Sequence, residues 1–278
     1  MSLSRLFKVV ALTCLLVAIA TAANVTYGNP FGMYGTVVNQ SCGGGICAAA
    51  QALNSFIFLN NFYSGIYNAT NVTTGNHANP TQASLEFANG DGTGGDICGY
   101  YNRFGTCGTN NGVNQNYVDT KNDWMNAYAP NTTNVFSQTN GPQGFNLLTT
   151  FIGPELRDHE DVELFIYGAD ANGKPTTEGH VISPMSITYD PADPNAGITM
   201  TYQDPNFPTL PQTQTVTVNG AGYLQFNDAS TFGGNVVITA AFSESPRIEL
   251  VPEPATWTLL GLPLAGLVLG WRRKSIVN

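Results

Sequence analysis

The chain has 278 residues, with 10 Lys or Arg against 19 Asp or Glu and a formal net charge of −9. That balance argues against nucleic acid as a partner, because phosphate contacts need Lys and Arg. Aromatic residues make up 11% of the chain, which separates it from acidic disordered sequences, where they are scarce.

Residues 2–22 carry Arg5 and Lys8, an apolar run from Val9 to Ala20, and small residues up to Ala22. A basic start, an apolar stretch and a small-residue cut site predict a signal peptide for Sec export, cleaved after Ala22. The apolar run is shorter than the roughly 20 residues a spanning helix needs. The body, 23–250, is long enough for one domain with a sizeable core. It holds eighteen acidic residues against five basic ones.

Asn24 to Ser41 reads as polar and extended, with a short strand at Gly35–Val38. From Cys47 onward, Ala49, Ala52, Leu53, Phe56, Ile57 and Asn60 recur at spacings of three and four, which predicts a helix ending near Tyr63. A short helix is expected to start at Asn79-Pro80, since proline suits a first turn. The stretch "NGDGTGGD", 89–96, loosely resembles a calcium-binding repeat loop. It is a single copy without a full register, so a surface turn is the expectation. Helices are also predicted over 119–129 and 142–153. Strands follow at 161–168, 179–190, 197–205, 213–227 and 235–243, with Asn219-Gly220 marking a hairpin turn and Pro184 an edge position or a bulge. Helices first and antiparallel strands later predict an α+β fold.

Cys14 leaves with the signal peptide, so Cys42, Cys47, Cys98 and Cys107 remain. In an oxidising compartment four cysteines allow three full pairings. Cys98 and Cys107 bracket "CGYYNRFGTC", a loop that a local disulfide would close. Cys42 and Cys47 are then bonded to each other, or one or both stay thiols. No Cys/His spacing points to zinc, and no cofactor is expected.

A cysteine nucleophile needs an environment that favours the thiolate, a base, an orienting partner for that base and an oxyanion donor. Cys47 heads a predicted helix, where first-turn amides favour an anionic sulfur. Gln40 lies seven residues upstream and carries an amide suited to an oxyanion. Of the three histidines, His77 and His159 lie in polar or acidic loops, while His180 opens a predicted strand. Asp204 ends the next strand, and hairpin pairing would set it beside His180 to fix the tautomer.

Gln40, Cys47 with its helix, "LLTTFIGPELRDHEDVELFIYG", Gly179-His180 and Asp204-Pro205 together resemble the papain-like cysteine peptidases, especially the bacterial branch that cleaves double-glycine leaders. The resemblance implies an N-terminal Cys-bearing helix packed on an antiparallel sheet that carries His and Asp, with the strands after 213 as additions. It assigns Cys47 as nucleophile, His180 as general base, Asp204 as its orienter and Gln40 as oxyanion donor. The implied function is an exported cysteine hydrolase, a peptidase acting through an acyl-enzyme on Cys47. Two alternatives stand beside it. One is a non-catalytic surface or matrix protein held by disulfides. The other is a transglutaminase or amidase with the same triad.

At the C-terminus, Val251-Pro252-Glu253-Pro254 precedes an apolar run from Trp257 to Trp271 and then Arg272-Arg273-Lys274. Positive charge after an apolar run fits a short membrane helix held from the cytoplasmic side. This order resembles the PEP-CTERM sorting signal over 251–278. It implies Pro252, Glu253 and Pro254 as the recognition element, exosortase as partner, transient inner-membrane anchoring and final delivery to the surface or the medium.

Overall fold

The computed structural model describes residues 24–38, 47–89, 115–139, 142–193 and 196–247. The N-terminal part is mostly helical. After β1 (Val25–Gly28) come α1 (Cys47–Phe62), α2 (Ser64–Tyr67), α3 (Pro80–Asn89) and α4 (Gln115–Tyr128). The strand β2 (Thr133–Thr139) leads to a helical segment of three parts: α5 (Phe145–Leu147), a π-helical stretch (Leu148–Ile152) and α6 (Gly153–Arg157). Six strands then follow: β3 (Asp161–Ala169), β4 (Pro175–Tyr189), β5 (Ile198–Gln203), β6 (Gln212–Val218), β7 (Leu224–Asp228) and β8 (Gly234–Pro246).

These six strands form a closed antiparallel barrel in the order β4-β3-β8-β7-β6-β5, with β5 returning to β4. β1 adds to β4 and β2 adds to β8. The papain-like expectation of a Cys-bearing helix packed on an open antiparallel sheet is therefore corrected to a small closed barrel with two flanking strands. β4 changes partners along its length: its 15 residues pair with β3 through Gly179–Ile182, with β5 through Ser183–Thr188 and with β1 through Ser186–Tyr189. The pairing that closes the ring joins β3 to β8, and hairpin signals report sequence neighbours only, so they carry no information on it. Pro184 lies at a register shift between β4 and β5, as a bulge.

Strand alternation separates two cores. Leu164, Ile166, Ile182, Met200, Phe226 and Ile238 point inward and fill the barrel, as expected for so few strands. Leu148, Ile152 and Leu156 of the helical segment 145–157 join this interior cluster. Phe165, Tyr167, Val181, Met185, Val237 and Phe242 face outward and pack with α1 and α4.

α1 is buried over most of its circumference, including Gln51, Asn54 and Ser55. A helix covered on nearly all sides can satisfy its polar side chains only internally, and among the described residues Gln51 Oε1 and Ser55 Oγ have no hydrogen-bond partner. Gln51 Nε2 donates to Ser183 Oγ at 2.5 Å. Asn54 Oδ1 accepts from Val37 N at 2.6 Å, and its Nδ2 donates to Val37 O at 3.0 Å. These bonds explain why residues 35–38 are extended without being a strand. The amide of Asn54 takes the place of a neighbouring strand. Gly35 permits that approach, since a Cβ there would sit 2.5 Å from Ile57 Cδ1. β1 and β2 are strands the sequence periodicity did not flag. The predicted helices at 80, 119 and 142 form with shifted ends.

Candidate catalytic site

Cys47 is the first residue of α1 and is buried at 3% exposure. His180 lies in β4 and is buried at 4% exposure. Asp204 follows the last residue of β5 and is fully buried. His180 and Asp204 are 24 residues apart in sequence, and the β4–β5 hairpin brings them together: His180 Nε2 is 2.7 Å from Asp204 Oδ1.

The carboxylate is held on both oxygens. Oδ1 also accepts the backbone N–H of Asn206 at 2.7 Å, and Oδ2 accepts the Thr231 hydroxyl at 2.7 Å. Burial pushes the Asp204 carboxyl up. The hydrogen bond and charge of His180, with the Asn206 amide and Thr231 hydroxyl, outweigh it and hold the group below the ordinary carboxyl value. An ionised carboxylate only accepts, so Nε2 of His180 carries the shared proton. When the ring is neutral, Nδ1 is then the nitrogen with the lone pair.

The register of α1 against β4 places the third residue. Gln51, one turn after Cys47, meets Ser183, three residues after His180. Further along, Phe58 stacks on Tyr34, whose hydroxyl accepts from the Asn29 side chain, and the Asn29 backbone N–H donates to Met185 O. Helix and strand thus run in the same sense, and Cys47 lies toward the His180 end of β4. The faces differ, however. His180 pairs with Ile166 and alternates with Ile182, so it shares the barrel-interior face, and Phe232 lies edge-on to its ring at 6.4 Å. Val181 and Met185, two residues to either side of Ser183, belong to the outer face that packs with α1. β5 stops pairing with β4 at Ser183 and Gln203.

Gln40, Cys42, Cys98, Cys107, residues 90–96 of the candidate calcium loop, and Pro252, Glu253 and Pro254 lie outside the described residues. His159 adopts a left-handed conformation with φ 60° and packs on Phe62 at the end of α1, away from the His180 end. Thr231 and Phe232, in the β7–β8 turn, complete the surroundings of the His–Asp pair. Sequence reasoning did not select them, because only barrel closure brings that turn beside β4 and β5.

Residues 250–274 match the PEP-CTERM protein-sorting motif. A search of curated proteins finds no match to the chain. The papain-like resemblance of the body has no counterpart among these findings. Among the described residues, no helix is long and apolar enough to cross a membrane, and the run from Trp257 to Trp271 lies outside them. The chain carries a PEP-CTERM sorting signal, which implies exosortase as its processing partner and export to the cell surface or beyond.

Proposed function

We propose that this exported protein is a cysteine hydrolase that cleaves peptide or related acyl bonds through Cys47. The observation that carries this reading is the buried His180–Asp204 pair at 2.7 Å, with Nε2 committed to the carboxylate. His180 Nδ1 takes the thiol proton as Cys47 Sγ attacks the substrate carbonyl. It then delivers that proton to the leaving group. Asp204 fixes the ring and balances the imidazolium. Water releases the acyl group from Cys47. Gln40 supplies the oxyanion contact from the segment before α1. Before release to the surface, the apolar run 257–271 holds the precursor in the inner membrane while exosortase acts on Pro252-Glu253-Pro254.

A second reading has its own support. Cys47 and His180 are both nearly inaccessible: Cys47 heads a helix packed on the outer face of β4, while His180, on β4 itself, lies on the barrel-interior face. That arrangement favours a non-catalytic surface module in which the His–Asp pair locks the hairpin. Incubation of the mature protein with a peptide library separates the two readings. Cleavage that disappears in Cys47→Ala supports the hydrolase. Equal turnover by wild type and variant, or none by either, supports the surface module.

A further inference from the structure

The outer face of the barrel holds an ionisable cluster that the proposed hydrolysis does not use. Lys121 projects from α4 and is fully buried. Its Nζ contacts Glu163 Oε2 on β3 and Glu244 Oε1 on β8, both also fully buried. Glu163 Oε2 accepts the Tyr117 hydroxyl at 2.9 Å as well. The rings of Tyr117 and Phe56 lie 5.2 and 5.4 Å from the Lys121 nitrogen. Among the described residues, Glu163 Oε1 and Glu244 Oε2 accept no hydrogen bond.

This is an amine held between two carboxyl groups in a dry, aromatic-walled site. Burying such ions is costly even when they are paired. A neutral amide in the same place would remove both an ammonium and a carboxylate from the low-dielectric interior. We propose that Lys121 and Glu244 condense into an intramolecular amide that covalently joins α4 to β8.

The atoms balance without a co-reactant. One ammonium proton passes to the Glu244 carboxylate, which becomes the acid. Lys121 Nζ attacks Glu244 Cδ and the C–N bond forms. Glu163 takes the second proton from nitrogen and returns it to the departing oxygen as the C–O bond breaks. One ammonium and one carboxylate become one amide and one water, and Glu163 ends as it began. Glu244 is the acceptor because its contact among the described residues is Lys121, while Glu163 is additionally held by Tyr117 in position to relay the proton. Burial lowers the pKa of Lys121, against the opposing pull of Glu163 and Asp161, which helps expose the neutral amine the attack requires.

Intact mass spectrometry of the folded, reduced mature protein tests this. The wild type is expected to weigh one water less than its sequence, about 18 Da. Proteolysis should yield a branched peptide joining Lys121 to Glu244. Lys121→Arg should show the full sequence mass. Should that variant not fold, Glu163→Gln serves instead: it keeps amine and acceptor but should lose the branched peptide or form it at least tenfold more slowly. A wild type at full sequence mass with separate linear peptides overturns the proposal. A branch from Lys121 to Glu163 overturns the assignment of Glu244 as acceptor.

Discussion

Gln51 of α1 hydrogen-bonds Ser183 of β4 at 2.5 Å, with both side chains fully buried. This bond sets the register of the Cys47 helix against the His180 strand. Truncation to Gln51→Ala leaves the Ser183 hydroxyl without this partner and removes packing volume. We expect a loss of about 1–3 kcal/mol in unfolding free energy, measured by urea denaturation. If Gln51 also positions the helix start, reactivity of Cys47 should fall in the still-folded variant.

Asn54→Ala removes the two bonds that hold Val37. The expected cost is again about 1–3 kcal/mol. Hydrogen exchange at the Val37 amide should accelerate well beyond that of amides in β4. Unchanged protection there would mean that other contacts hold the 35–38 segment.

Asp204 has a folded-state pKa below its ordinary value, so it stabilises the fold at pH above that value. The contribution falls away as pH drops through the lower folded value. Asp204→Asn should therefore flatten the acid limb of the stability profile. In the hydrolase reading it should also reduce turnover by about 10²–10⁴-fold, the range typical of a disabled acid–base group.

Glu160 behaves in the opposite sense. Burial pushes its carboxyl up to about 8, and a hydrogen bond with Glu155 adds to this, against the lowering contact from Ser245. Because the folded pKa is raised, the stability it contributes is full below the ordinary value of 4.5 and is lost as pH rises toward 8. Thermal melts from pH 4.5 to 8 should show this decline in the wild type and a weaker one in Glu160→Gln. Identical slopes would assign the decline to another group.

The local elements were largely legible in the sequence. The spacing from Ala49 to Asn60 predicts α1, and the turn at Asn219 forms with its side-chain oxygen accepting from Ala221 N and Tyr223 N. The meeting of His180 with Asp204 also follows from local chemistry, since a hairpin brings such strand ends together. Barrel closure was not legible, because it rests on the long-range pairing of β8 with β3. The face of His180 was hidden for the same reason: alternation says which residues share a side, and closure decides which side is inside. Lys121 did leave a signal, standing with Tyr117 and Trp124 on the buried stripe of α4. A cation in that stripe calls for buried carboxylates, but their position on β3 and β8 depends on the sheet order.

The reading of Cys47 as a nucleophile activated by His180 is tested most directly by the rate of covalent labelling with an electrophilic epoxide probe, read by peptide mass spectrometry. The account predicts modification of Cys47 in the folded wild type, its loss in Cys47→Ala, and labelling at least tenfold slower in folded His180→Ala. Equal labelling of Cys47 in wild type and His180→Ala, or no labelling of Cys47 in the folded wild type, would contradict it.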